Sequence, residues 1–558
     1  MARRQRADHV DVLVVGAGFA GMYQLRKARE LGLRVRVVER GDGVGGTWYW
    51  NRYPGARCDA PSLFYSVSYR PDLDQEWHWS ERFAGQAEIL AYMREVARRE
   101  GMERDISFGT SVVRAEWSPG SGTWTVTTDA GERIRARYVV LATGCLSQSR
   151  VPEIPGLERF RGRWFHTGRW PHEPVQLAGR RVAVVGTGST GAQVIPAVAE
   201  VAEQVTVFQR TPKFVLPARN RPMSEADARP VKDAYPALRA AARQRDYGMP
   251  TVPIEHRLAE MPPVERDALM ERMYEEGALA SFVYSYADHL GLKNQAVNDL
   301  VADFVRRKIR EVVHDPGTAE ALTPYGYPIG INRIILGTGY YESFNRDNVV
   351  LHDARTDPIA ELTENGLRTA GDAEYTFDDL IFATGYDGIT GSFTAIDVRD
   401  GSGGTLKDAW ADGPRAYLGL QVAGFPNLFT ITGPGSPSVL ANVITTIEQH
   451  VEFVTDLIAH AHEHGAEVVE ADAAAEEKWM EHVADVAQNT LFRHAAKANS
   501  WYAGANVPGK RVVFMPYAGG VGTFDAILTE VAADGYRGFR LGGGVRDGAT
   551  EPPHDRRE

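Results

Sequence analysis

Two glycine triplets, each set directly behind a short apolar run, constrain this chain more than any other feature. The first, Gly16-Ala17-Gly18-Phe19-Ala20-Gly21, follows Val10 to Val15. The second, Gly186-Thr187-Gly188-Ser189-Thr190-Gly191, follows Val182 to Val185. A continuous apolar run of this length reads as a parallel strand buried on both faces. Glycines at these spacings allow a tight turn and a close approach of backbone to a pyrophosphate. The helix that follows presents free N–H groups and a partial positive charge at its start. Each triplet therefore predicts a strand, a phosphate cradle and a helix. Two of them predict an α/β fold with two Rossmann-like dinucleotide-binding domains.

The two units differ at the ribose end. After the first, Met22 to Leu31 reads as a helix stopped by Gly32, and the strand Leu33 to Val38 ends in Glu39. A carboxylate there suits an unphosphorylated ribose, as in FAD or NAD. After the second, Pro196 predicts a kink about one turn into the helix. The next strand, Val205 to Phe208, ends in Gln209-Arg210-Thr211. A guanidinium in that place can pair bidentately with a 2′-phosphate, although a plain surface arginine also fits. Opposite charges at equivalent positions predict two different nucleotides, FAD in the first unit and NADP in the second.

The rest of the chain falls around these units. Residues 1–150 form the first part of the FAD domain and 151–220 the first part of the NADP domain. Residues 221–325 are rich in charge and helical periodicity, as in Met270 to Leu290 and Leu300 to Val313, and read as a helical insertion. Residues 326–390 complete the NADP domain and 391–541 the FAD domain. Residues 542–558 are polar, glycine- and proline-rich, and expected to be disordered. Glu88 to Arg99 reads as an amphipathic helix, and Ile106 to Val113 as a strand. Ala142-Thr143-Gly144 and Ala383-Thr384-Gly385 end two apolar strands in the same way, as closures of the two units. Ser436 is expected to open an amphipathic helix carrying Val439, Val443, Ile447 and Val451 on one side. The loop from Gly45 to Asp59 combines glycine, proline and aromatics, as shaped loops that line sites often do.

Composition removes several functions. The 558 residues carry a net charge of -11, which disfavours nucleic acid as a partner. No apolar run reaches membrane-span length, so no membrane partner is expected. Only two cysteines occur, Cys58 and Cys145. That disfavours a disulfide scaffold or zinc site and predicts a cytoplasmic protein. Their spacing also lacks the close redox pair that a flavin disulfide reductase needs.

Between the two units lies Phe160-x-Gly162-x-x-x-His166-x-x-x-Trp170-Pro171. This pattern resembles the fingerprint of type I Baeyer–Villiger monooxygenases, the class B flavin monooxygenases, and the likeness extends over nearly the whole chain. Its texture is most similar to the branch containing phenylacetone and steroid monooxygenases. The resemblance implies that NADPH reduces FAD and that dioxygen then adds to give a C4a-peroxyflavin. That species attacks a ketone, and carbon migration yields an ester or lactone. It implies Arg333 and Asp59 as catalytic residues. For FAD it implies contacts from Gly16, Gly18, Phe19, Gly21, Glu39, Arg40, Gly46, Thr47, Trp48, Asp59, Tyr65, Val112 and Val443. For NADP it implies Arg57, Cys58, the turn Gly186 to Gly191, Arg210, Thr211, Asn332, Arg333 and Trp501. Family members often carry lysine before the catalytic arginine, and this chain has Asn332. Its NADPH preference is thus expected to be weaker and to rest on Arg210. The fingerprint itself is expected to set geometry between the domains, with His166 in no catalytic role. An N- or S-oxidising flavin monooxygenase and a redox sensor without turnover are the rival readings. The expected partners are a small ketone and dioxygen, with the chain a monomer or weak oligomer.

Overall fold

The computed structural model describes residues 9–250, 258–280 and 290–542. Both apolar runs become central parallel strands. In the first sheet the spatial order is Asp397–Arg399, Val112–Ser118, Thr123–Thr128, Arg133–Leu141, His9–Val15, Val35–Val38, Ile106–Ser107, with Leu428–Thr430 also on Arg133–Leu141. In the second it is Val349–Asp353, Gln204–Gln209, Arg181–Val185, Asp379–Phe382, Arg163–His166, every pair parallel. Equivalent apolar rows cross the two sheets. Val14 lies between Val37 and Val140 in one, and Val184 between Val207 and Ile381 in the other. Burial of such rows is the main favourable term in the fold.

The two glycine turns are built alike. Gly16 (φ +105°) and Gly186 (φ +109°) occupy a region open to glycine. A Cβ on Gly16 would lie 2.5 Å from the Ala142 carbonyl oxygen, and one on Gly186 2.5 Å from that of Ala383. Each turn is therefore backed by the small-residue exit of its own sheet. The two exits then run side by side as the chain passes between the sheets. Arg150 N donates to Gly385 O (3.2 Å), Asp387 N to Gln148 O (3.0 Å) and Ile389 N to Cys145 O (2.8 Å).

Several local expectations change. The helix Ser189–Ala199 is not interrupted at Pro196 but continues through it. One donor is lost near the end of a helix whose Ala192, Val194, Ile195 and Val198 are buried, so packing holds it. Residues 106–113 do not form one strand. They split at Gly109 (φ +59°) into Ile106–Ser107 and the start of Val112–Ser118. Ser436 does not open a helix. A 3-10 turn, Ser438–Leu440, comes first, and the helix Val443–Glu463 starts behind Asn442, whose side chain caps Ile444 N. Pro437 and Gly435 (φ +86°) fix a turn at the place where a helix was expected.

In the 221–325 region, the helix Glu225–Arg243 packs onto the first domain, where Tyr235 donates to Leu63 O (2.7 Å) and Arg239 pairs with Asp74. The helices Pro263–Glu275, Gln295–Val312 and Pro316–Leu322 pack into the core of the second domain instead. Part of the expected Met270 to Leu290 helix, 281–289, lies outside the described residues, as does the expected disordered tail beyond Gly542.

Candidate active site

The sheets enclose one cavity of about 1010 Å³, lined from the Gly16–Gly18 turn at one end to the Gly186–Thr190 turn at the other. At the first end, Glu39 is buried and accepts from Ala17 N and Gly41 N, both at 2.7 Å. The carboxylate thus stiffens the turn from the end of the neighbouring strand. The loop from Gly45 folds over the same turn. Gly46 (φ +51°) comes so close that a Cβ would lie 2.9 Å from the Gly18 Cα. Trp48 donates to the Tyr65 hydroxyl (3.1 Å), and the Phe19 and Tyr65 rings meet edge-on. Arg40 stacks 4.5 Å from the Trp50 ring, and burial lowers its pKa. Thr47 opens the short helix Thr47–Trp50, and Val112 and Val443 line the same wall.

At mid-cavity Asp59 and Arg333 meet. Arg333 Nε is 2.5 Å from Asp59 Oδ2 and Nη2 is 2.7 Å from Oδ1, a side-on bidentate pair. Arg333 Nη1 donates to the Val439 carbonyl at 3.2 Å. Burial pushes the Asp59 carboxyl up, but the Arg333 charge and hydrogen bonds outweigh it and hold the group below its ordinary value. The carboxylate is therefore ionised throughout the working range. Cys58 beside it is buried, and its thiol is pushed up by that burial. Cys58 and Cys145 are both free thiols. Arg57 turns to Glu81 (2.7 Å) and the Phe83 carbonyl (3.0 Å).

The second end holds Ser189 and Thr190 at the start of their helix, with Thr187 donating to Gln209 Oε1 (3.3 Å) and Thr211 O (3.5 Å). Arg210 is exposed at the strand end, and the Asn499 side-chain oxygen accepts from it. Asn332 donates instead to Ala498 O (3.0 Å). Trp501 lines the cavity from a 3-10 turn, Trp501–Ala503, packed on Gly388. This loop is tied down by Arg150 to Asn506 O (3.0 Å), Asn506 to Tyr386 O (2.9 Å) and Lys510 to Asp387 (2.5 Å).

The sequence pattern missed Val439, Tyr386, Lys510 and Lys213, which also lines the cavity. Of these only Lys213 gave a signal, a cation three positions beyond Arg210. The fingerprint residues sit outside the cavity chemistry. Arg163–His166 is the edge strand of the second sheet, Phe160 packs on Phe377, and Gly162 leaves no room for a Cβ beside Asp378 O (2.5 Å). His166 Nδ1 accepts from Gly168 N (3.0 Å), so its proton lies on Nε2, toward Thr384 Oγ1 (3.4 Å).

Two nucleotide-sized cradles facing each other across one cavity make this a two-dinucleotide oxidoreductase. A family model for pyridine nucleotide-disulphide oxidoreductases matches residues 10–232. A Baeyer–Villiger monooxygenase of Pseudooceanicola batsensis is 39% identical over 97% of this chain and 97% of that one. The phenazine N-monooxygenase of Lysobacter antibioticus is 38% identical over 96% and 97%. A solved steroid monooxygenase bound to NADP superposes with a TM-score of 0.90, at 46% identity, covering 96% of this chain and 100% of that one. The chain belongs to the Baeyer–Villiger monooxygenase family. FAD and NADP(H) are its cofactors, and another solved relative holds both. The cradles fit that pair, since a Cβ on either leading glycine would collide with the backbone behind it. Among the described residues no helix is long and apolar enough to cross a membrane.

Proposed function

We propose that the chain catalyses Baeyer–Villiger oxidation, converting a small ketone into an ester or lactone at the expense of NADPH and dioxygen. The observation that carries this is the Asp59–Arg333 pair on the cavity wall, between the two phosphate turns. Bound FAD supplies the redox and oxygen-activating chemistry, fed by hydride from NADPH. The protein supplies the electrostatics. A carbonyl under attack gains negative charge on oxygen, and a fixed guanidinium opposite that oxygen stabilises it. Arginine stays cationic at any working pH, so it takes no proton from the reacting species. Asp59 fixes the plane of the guanidinium, and the Val439 carbonyl fixes its rotation. Trp501, held down by its loop, excludes water from the nicotinamide side.

Gly16, Gly18, Gly21 and Glu39 would hold the FAD pyrophosphate and ribose. Gly186 to Gly191 would hold the NADP pyrophosphate, with Arg210 and Thr211 at the 2′-phosphate. Two free thiols suit a reducing cytoplasm. Oxidation at nitrogen is the second reading, favoured by the phenazine N-monooxygenase relative. It needs an electrophilic oxygen donor and no guanidinium for a carbonyl oxygen. Arg333→Ala separates the two. Loss of ester by product mass, with flavin reduction by NADPH retained, supports ketone oxidation. Ester formation by the variant would remove Arg333 from the reaction.

A further inference from the structure

Lys213 lies three residues beyond Arg210, half-buried in the cavity wall. Its backbone is held rigidly. Tyr341 donates to Lys213 O (3.2 Å), and Tyr327 donates to the neighbouring Pro212 O (2.6 Å). Lys213 Nζ stands 5.7 Å from the Tyr327 ring and donates to Ala498 O at 3.2 Å. Asn332 donates to that same carbonyl, and Arg210 donates to the adjoining Asn499. Three side chains thus converge on residues 498–499, and two of them are cations. Among the described residues neither Arg210 nor Lys213 makes an ion pair with a carboxylate. Burial pushes the Lys213 ammonium down to about 8, and the Arg210 charge adds to that. Two like charges held together without a counter-ion are unfavourable unless an anion joins them. Asn332, being neutral, supplies no further charge.

We propose that Lys213 is the second cation of the 2′-phosphate site and sets the preference for NADPH over NADH, working beside Arg210. This rests on the assignment of the second cradle to NADP(H). It does not rest on the ketone chemistry. An ammonium offers three donors, and the one given to Ala498 O leaves others for phosphate oxygens. Because Ala498 leads into the Trp501 loop, a merely structural Lys213 would act on the nicotinamide end instead.

Adenosine 2′,5′-bisphosphate separates the two roles, since it carries the 2′-phosphate but no nicotinamide. The FAD-loaded enzyme is titrated by calorimetry with this probe, with 5′-AMP, and with NADP⁺ and NAD⁺. Lys213→Met is expected to weaken the bisphosphate and NADP⁺ by roughly tenfold or more, as for a lost hydrogen bond to a charged group. AMP and NAD⁺ should change less than about twofold. Lys213→Arg should restore the difference. Lys213→Gln should repeat the Met result if the latter fails to retain FAD. At about pH 9, bisphosphate binding should take up a proton in the native enzyme and none in Lys213→Met. Equal weakening of bisphosphate and AMP, or no weakening of either, would overturn the proposal. None of these titrations requires a ketone, so their outcome is independent of the ester assay.

Discussion

Asp59 and Arg333 stand 274 positions apart and meet side-on, at 2.5 and 2.7 Å. The carboxylate is held below its ordinary value, so it orients a cation without accepting the cation's proton. Asp59→Asn keeps the shape and removes the charge. Ester formation should fall about ten- to a hundredfold, the range for one misplaced electrostatic group. NADPH oxidation should fall far less, and hydrogen peroxide should replace the missing ester. An unchanged ratio of ester to NADPH would show that the pair does not orient the reaction.

Gly388 faces the Trp501 ring. A Cβ there would lie 2.7 Å from Trp501 Cε3, so Gly388→Ala must displace the indole or the loop. Peroxide release per NADPH should rise and NADP⁺ should dissociate faster, while FAD content stays normal. Stopped-flow tryptophan fluorescence and a peroxide assay read both effects. Coupling equal to that of the native enzyme would mean that Trp501 does not seal the cavity.

The matching glycine turns allow the two cradles to be told apart. Gly16→Ala and Gly186→Ala make the same clash, 2.5 Å against a backbone oxygen, with the same forbidden φ. Gly16→Ala should yield a colourless protein or one that loses FAD on dialysis. Gly186→Ala should stay yellow but bind NADPH at least roughly tenfold more weakly. The reverse pattern would exchange the nucleotide assignments.

His166 carries a pH dependence. Burial, partly offset by backbone carbonyls, lowers its pKa to about 4 from an ordinary 6.5. The unfolded chain therefore binds the proton first, and the native state gains stability as pH rises through that window. Stability tied to His166 is fully present above 6.5 and is lost as pH falls toward 4. His166→Gln should flatten the fall of Tm between these limits while leaving ester formation at pH 8 within about threefold. A large loss of ester at unchanged Tm would make His166 part of the chemistry.

The sheets and both cradles were legible because each rests on a local rule. Apolar runs of strand length, glycine spacing, and a change of charge at the ribose end are all written within a few residues. The pairing of Asp59 with Arg333 bridges 274 positions, and only the family likeness pointed to it. Val439 and Tyr386 were hidden because their contacts join distant segments. Val439 acts through its carbonyl, which any residue could offer. The 3-10 turn before Asn442 was misread because Val439 and Leu440 fit the helical period as well as the helix beyond them does. Likewise, periodicity marked residues 221–325 as helical but not that the helix Glu225–Arg243 covers the first domain.

The paired exits give the molecule a particular kind of gearing. The chain crosses between the sheets twice, and both crossings begin directly behind a phosphate cradle, Ala142 to Gly144 behind Gly16 and Ala383 to Gly385 behind Gly186. They are laced to each other by the bonds at Arg150, Asp387 and Ile389. A swing of one domain about this double strap moves the two pyrophosphates least and the far tips of both domains most. The nucleotides can thus stay anchored at the fulcrum, and the loop bearing Trp501, fastened to Arg150, Tyr386 and Asp387 of the same strap, stays there with them.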